Sequence, residues 1–142
     1  EAASILGADF GQGFALAHPM PPEALPDWLA GFKPAERGSY PRSALGALAG
    51  ALRWEERFVE LFDEPHSRER HVRAGGSVAE YLRGVDGVPL PLRTSHDAML
   101  EAAGNGPFDP DYARQRDLFL SLLVERTLAE EHRHVSRESG SA

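Results

Sequence analysis

The side chains best suited to hold a proton or a metal near neutral pH are six histidines: His18, His66, His71, His96, His132 and His134. The chain has no cysteine, which excludes disulfides and any metal site built on a thiolate. His66 and His71 lie near the Gly75-Gly76 turn, where they could stand in as ligands, but their polar neighbours read more simply as an exposed loop. His132 and His134 fall near the end of an expected helix, where a cation is mildly favoured, and read as surface residues. His96 sits within an apolar helical stretch and reads as a satisfied helix histidine. Gln12 stands between Gly11 and Gly13, an amide on a backbone able to pass close to a ligand, or simply a solvated turn. Glu55, Glu56, Arg57 and Glu60 read as a solvated helix face and not as a catalytic carboxylate pair. No Ser-His-Asp order, Walker loop or dinucleotide fingerprint is present.

Bulk composition narrows the field further. Fifteen basic residues against 22 acidic ones give 142 residues a net charge of −7, which repels phosphate backbones and argues against a nucleic-acid partner. No run of apolar residues is long enough to span a bilayer. The start at Glu1, without a basic-then-apolar leader pattern, is read as an internal cut. The lack of cysteine suits a cytoplasmic location.

These residues need elements to position them. Glu1 to Leu6 read as the last turn of a helix stopped by Gly7, and Ala8 to Leu16 as a short strand running into a loop. Pro22 is placed to open a helix that runs to Gly31 with Leu25, Trp28 and Leu29 on one face. Pro34, Gly38 and Pro41 make residues 32–42 the expected linker. The clearest helix spans Ser43 to Phe62. Ser43 is its cap, and Leu45, Leu48, Leu52, Val59 and Phe62 form its apolar stripe, interrupted by Glu55 and Glu56. Gly46 and Gly50 on this helix suggest the near approach of another helix, of this chain or of a second subunit.

After a break at Pro65, a short helix is expected from Val78 and ends at Gly84. An irregular loop follows from Val85 to Leu92, then a helix over Thr94–Ala103 capped by Thr94 or Ser95. The last helix is expected from Asp111 to about Arg133 with Tyr112, Phe119, Leu122 and Leu123 inward, and Trp54 and Tyr81 read as core aromatics. The expectation is a mainly α chain with an antiparallel four-helix bundle over residues 43–135 and a frayed, disordered tail over 136–142.

The segment Leu6-Gly-Ala-Asp-Phe-Gly-Gln-Gly-Phe-Ala-Leu-Ala-His-Pro-Met-Pro-Pro-Glu-Ala-Leu-Pro-Asp-Trp28 closely resembles the C-terminal signature of EAL-type cyclic-di-GMP phosphodiesterase domains. There Gly-x-Asp, Gln-Gly-aromatic and Pro-x-Pro recur at these offsets before a short acidic-apolar helix. The resemblance implies that residues 1–31 are the strand-helix end of an EAL (β/α) barrel. It also implies that Gln12 matches the substrate-site glutamine at the carboxyl end of the last barrel strand, where barrels carry their chemistry. The parent domain would use Mg²⁺ or Mn²⁺ held by upstream acidic residues. Those residues are not in this chain, so the fragment is expected to lack phosphodiesterase activity and to hold no cofactor of its own.

A second resemblance covers the helical region. Ala51-Leu-Arg-Trp54, Gly76-Ser-Val-Ala-Glu-Tyr-Leu82 and His96-Asp-Ala-Met-Leu100 resemble the three ligand-bearing segments of chemoreceptor zinc-binding (CZB) four-helix bundles. In that family a histidine, a cysteine and a His-x-x-x-His pair meet in the bundle core. Here the matching positions hold Ala51, Gly76, His96 and Leu100, so only His96 retains a ligand and the resemblance implies a degenerate site without metal. Together the two resemblances imply a C-terminal regulatory or interaction domain of a bacterial cyclic-di-GMP signalling protein. Its partners would be its own upstream EAL domain and, through dimerisation, a second copy. The competing expectation is a ligand- or metal-sensing bundle that controls the same enzyme.

Overall fold

The computed structural model describes residues 18–32 and 41–140. The expected strand, the Gln12 motif and most of the 32–42 linker lie outside the described residues. The described part is mainly helical. After a single 3-10 turn over Pro22–Ala24 come α1 (Leu25–Gly31), α2 (Ala44–Glu60), α3 (Pro65–Ala74), α4 (Gly76–Gly84), α5 (Leu90–Ala103) and α6 (Pro110–Ser139). No helix among the described residues is long and apolar enough to cross a membrane.

Local chemistry sets most boundaries. Ser43 Oγ accepts the Gly46 amide at 3.1 Å, capping α2 as its position predicts. Glu130, from α6, also accepts the Ala44 amide at 2.9 Å, so the two helices share a cap. Asp109 Oδ1 accepts the amides of Asp111 and Tyr112, and Pro110 opens α6 without wasting a donor. In α1 no residue is buried, and Trp28 stacks on Phe32 with ring centroids 4.8 Å apart.

Three boundaries differ from expectation. First, residues 65–74 are a helix and not a break. Pro65 fills its first turn, where no amide partner is needed, and Gly75, at φ 67°, ends it in the left-handed conformation. Second, α5 begins at Leu90, so Thr94 and Ser95 lie inside it and cap nothing. Pro91 sits in the first turn, where it does no harm, and buried Leu92 anchors the start. Third, α6 runs past Arg133 to Ser139, into the region expected to fray.

In the core, α5 packs along α6, α6 along α2, and α2 along α4. Tyr112, Phe119 and Leu123 of α6 are fully buried as expected, and so are Tyr81 and, nearly so, Trp54. The inward face of α2 is a correction. The core receives Ala44, Ala47, Ala51, Trp54, Phe58 and Leu61, one residue out of register with the expected stripe. Leu45 and Leu52 are each 48% exposed, and Val59 and Phe62 are exposed as well. The buried register is continuous, whereas the leucine register is broken by Glu55 and Glu56. The alanines also admit close backbone approach, which leucines at the same places would prevent.

That approach is within one chain. A Cβ on Gly50 would come within 2.4 Å of Ser77 Oγ, and one on Gly76 within 2.8 Å of Trp54 Cδ1. The helix that Gly50 admits is therefore α4, not a second subunit.

The two registers predict opposite mutational outcomes. Phe58→Ala, which empties a site at 0% exposure, should lower the unfolding free energy by about 3–5 kcal/mol. Leu52→Ala should change it by about 1 kcal/mol or less. Urea unfolding followed by circular dichroism separates the two, and equal losses would restore the leucine stripe to the core.

Candidate functional site

The α3–α4 junction brings the expected site residues together in part. Gly75 and Gly76 both hold positive φ, so the chain reverses with no side chain in the way. Helix α5 passes beside this turn. A Cβ on Gly75 would lie 3.5 Å from Leu100 Cδ1 and 3.8 Å from His96 Cε1. Trp54 of α2 faces Gly76 from the other side. Of the four positions matched to metal ligands, His96 and Leu100 thus meet the turn that carries Gly76, and Ala51 lies in the core. Ala51 and Leu100 contribute only hydrocarbon there.

His96 is 4% exposed and its ring lies 5.1 Å from that of Phe119 in a tilted contact. It borders a cleft of about 300 Å³ together with Gly75, Ala79, Leu82, Asp97, Leu100 and the arginines Arg73, Arg83 and Arg93. Burial pushes its pKa down to about 4. Asp97 opposes the shift and Arg83 adds to it. The imidazole is therefore neutral at physiological pH, with one N–H donor and one acceptor nitrogen.

The other histidines have different surroundings. His71 is no loop residue. Its ring stacks on Trp54 with centroids 4.9 Å apart, and its Nε2–H donates to the Trp54 carbonyl at 2.8 Å. The Trp54 indole N–H points back to the His71 carbonyl at 3.4 Å. That reciprocal pair ties α3 to α2. His66 is exposed on α3. His132 is exposed and bonds through Nδ1 to the Leu128 carbonyl one turn earlier, and His134 is exposed beside it.

Glu55 also departs from expectation. Glu56, Arg57 and Glu60 are solvated, with Arg53–Glu56 and Arg57–Glu60 pairs along the helix. Glu55 instead turns inward to Arg116 of α6 at 2.7 Å, both side chains being more than two-thirds covered. Arg116 in turn lies 5.9 Å over the Tyr112 ring. Burial, reinforced by Glu55, raises the Tyr112 phenol above its usual range against the pull of Arg116.

Sequence reasoning overlooked the three arginines. Their signal was positional: Arg73 and Arg83 each occupy the last turn of a helix that ends in glycine, and Arg93 the first turn after Pro91. Compared with known proteins, the chain matches no family, no curated protein and no solved structure.

The buried imidazole makes stability depend on pH. In the unfolded chain His96 titrates at its ordinary 6.5 and in the folded chain at about 4. Between these values the unfolded state binds the extra proton, so stability falls as pH falls through the window. The full loss is about 3 kcal/mol. Urea titrations from neutral pH to about pH 4 should show this loss in the wild type and its absence in His96→Gln. Parallel curves for the two proteins would contradict it.

Proposed function

We propose that residues 43–135 are a non-catalytic regulatory domain, a four-helix bundle with α3 inserted between its first two members, carried at the end of a cyclic-di-GMP phosphodiesterase. The observation that carries this reading is the meeting of His96, Leu100 and the Gly75–Gly76 turn. These are the same segments that gather zinc ligands in the CZB bundles the sequence resembles. Core packing by Leu100 and Ala51 replaces metal ligation at two of the places, so the bundle acts through contact with its own upstream barrel and not through a metal.

The phosphodiesterase half of the reading rests on the Gln12 motif and the Pro-Met-Pro-Pro segment that follows it. Its location would then be the cytoplasm, where such enzymes meet their substrate. Hydrolysis would need Mg²⁺ or Mn²⁺ and acidic residues upstream of Glu1, with Gln12 at the substrate site.

The test uses the intact gene product and a version truncated in the 32–42 linker. Cyclic-di-GMP hydrolysis with Mn²⁺ should differ between them by threefold or more in kcat or KM, while residues 1–142 alone should show no turnover. Equal rates with and without the bundle would remove the regulatory role. Turnover by residues 1–142 alone would remove the non-catalytic assignment.

A further inference from the structure

We infer that the cleft between α3, α4 and α5 binds a small organic oxyanion, a phosphate or carboxylate on an apolar body, with Arg73, Arg83 and Arg93 gripping the charge. Three separate helices each send one arginine to this cleft. Arg73 comes from the last turn of α3, Arg83 from the last turn of α4 and Arg93 from the first turns of α5. A chain with net charge −7 and only 15 basic residues here sets three guanidinium groups against one lining carboxylate, Asp97.

Two of the arginines are partly engaged at the rim. Arg73 pairs with Glu69 at 2.6 Å, and Arg83 with Glu80 at 2.7 Å and the Ala79 carbonyl at 3.2 Å. Each guanidinium has five N–H donors, so donors are left over. The Arg93 guanidinium makes no hydrogen bond or ion pair with any other described residue. Its charge has no protein partner among them.

The floor supplies the rest of the recognition. Leu82 and Leu100 with Ala79 offer hydrocarbon, which suits the body of a ligand and not a bare ion. His96 is more than nine-tenths buried and borders the cleft, and its ring makes no hydrogen bond to another described residue. Its neutral ring carries an N–H that an oxyanion can accept.

Another cleft of comparable size, about 330 Å³ and lined by the Trp54–His71 pair, lacks these properties. Its arginines Arg53 and Arg57 are matched by Glu56 and Glu60, and its histidine is already bonded. It serves as the internal control. The inference does not depend on the phosphodiesterase reading, since it uses only residues 73–100.

Phenyl phosphate is a suitable probe, because it joins the two features in one molecule. Titrated into the whole chain at low salt, it should shift the NMR signals of the His96 ring in a saturable way. Added salt should weaken it, because the grip is ionic. Arg93→Gln should weaken binding at least tenfold, and Arg53→Gln should leave it unchanged. Arg93 and Arg53 are both exposed, so neither variant threatens folding. Benzoate in place of phenyl phosphate tells a carboxylate preference from a phosphate one, and binding by either supports the site. Unmoved His96 signals, indifference to Arg93→Gln, or inorganic phosphate binding as tightly as phenyl phosphate would each overturn the inference.

Discussion

A run of ring contacts through the core holds the helices in register. His71 of α3 stacks on Trp54 of α2, Trp54 stacks on Phe58 at 5.0 Å, and Phe58 meets Tyr112 of α6 edge-on at 5.0 Å. Aromatic pairs prefer a few geometries, so the run fixes both the rotation of α2 and the positions of its neighbours. Rotating α2 by one residue would bring the leucines inward, but it would break every one of these contacts. It would also pull Glu55 away from Arg116, leaving a largely covered charge without its partner. The register is therefore decided by rings and one ion pair, with hydrophobicity alone indifferent between the two faces.

The same constraint explains what could be read in advance. Helix α6 was legible because Tyr112, Phe119 and Leu123 are large, apolar and spaced for one face. Helix α2 was legible as an element but not in orientation. Its buried residues near the start are alanines, which carry little hydrophobic signal, while the leucines on the far face carry much. Glu55 and Glu56 in the leucine stripe were the clue. Helix α3 was invisible to periodicity because eight of its ten residues are Pro, His, Ser, Arg or Glu, and only Pro65 and Gly75 at its ends announce it.

The candidate site was legible to a lesser degree. His96 was picked out by residue type and by its likeness to a ligand position, and it does lie buried against the Gly75 turn. A ligand-sensing bundle required a cavity near His96, but the arginine lining of the cleft found there was not foreseen. Arg73, Arg83 and Arg93 are ten residues apart in sequence and meet only because two glycine-ended helices and a proline-opened one converge there. Such a cluster is a product of tertiary structure, and no local pattern encodes it. His71 failed for the opposite reason: its polar neighbours suggested a loop, and only the distant Trp54 gives it a place.

The polar content of α5 sharpens the meaning of this cleft. Ser95 and His96 are both buried; the Ser95 hydroxyl has no hydrogen-bond partner among the described residues, and the His96 ring borders the cleft. A buried hydroxyl left unpaired costs about 1–3 kcal/mol, a cost that an alanine at Ser95 would not carry. The neighbouring helices supply the complement, since among the described residues the cationic groups bordering the cleft are guanidiniums from three helices and the His96 ring that lines it with them is held neutral. A protonated imidazole would add a fourth positive charge to that space. Burial of His96 thus keeps a fourth positive charge out of the arginine cluster and leaves the ring with one N–H to donate and one nitrogen to accept.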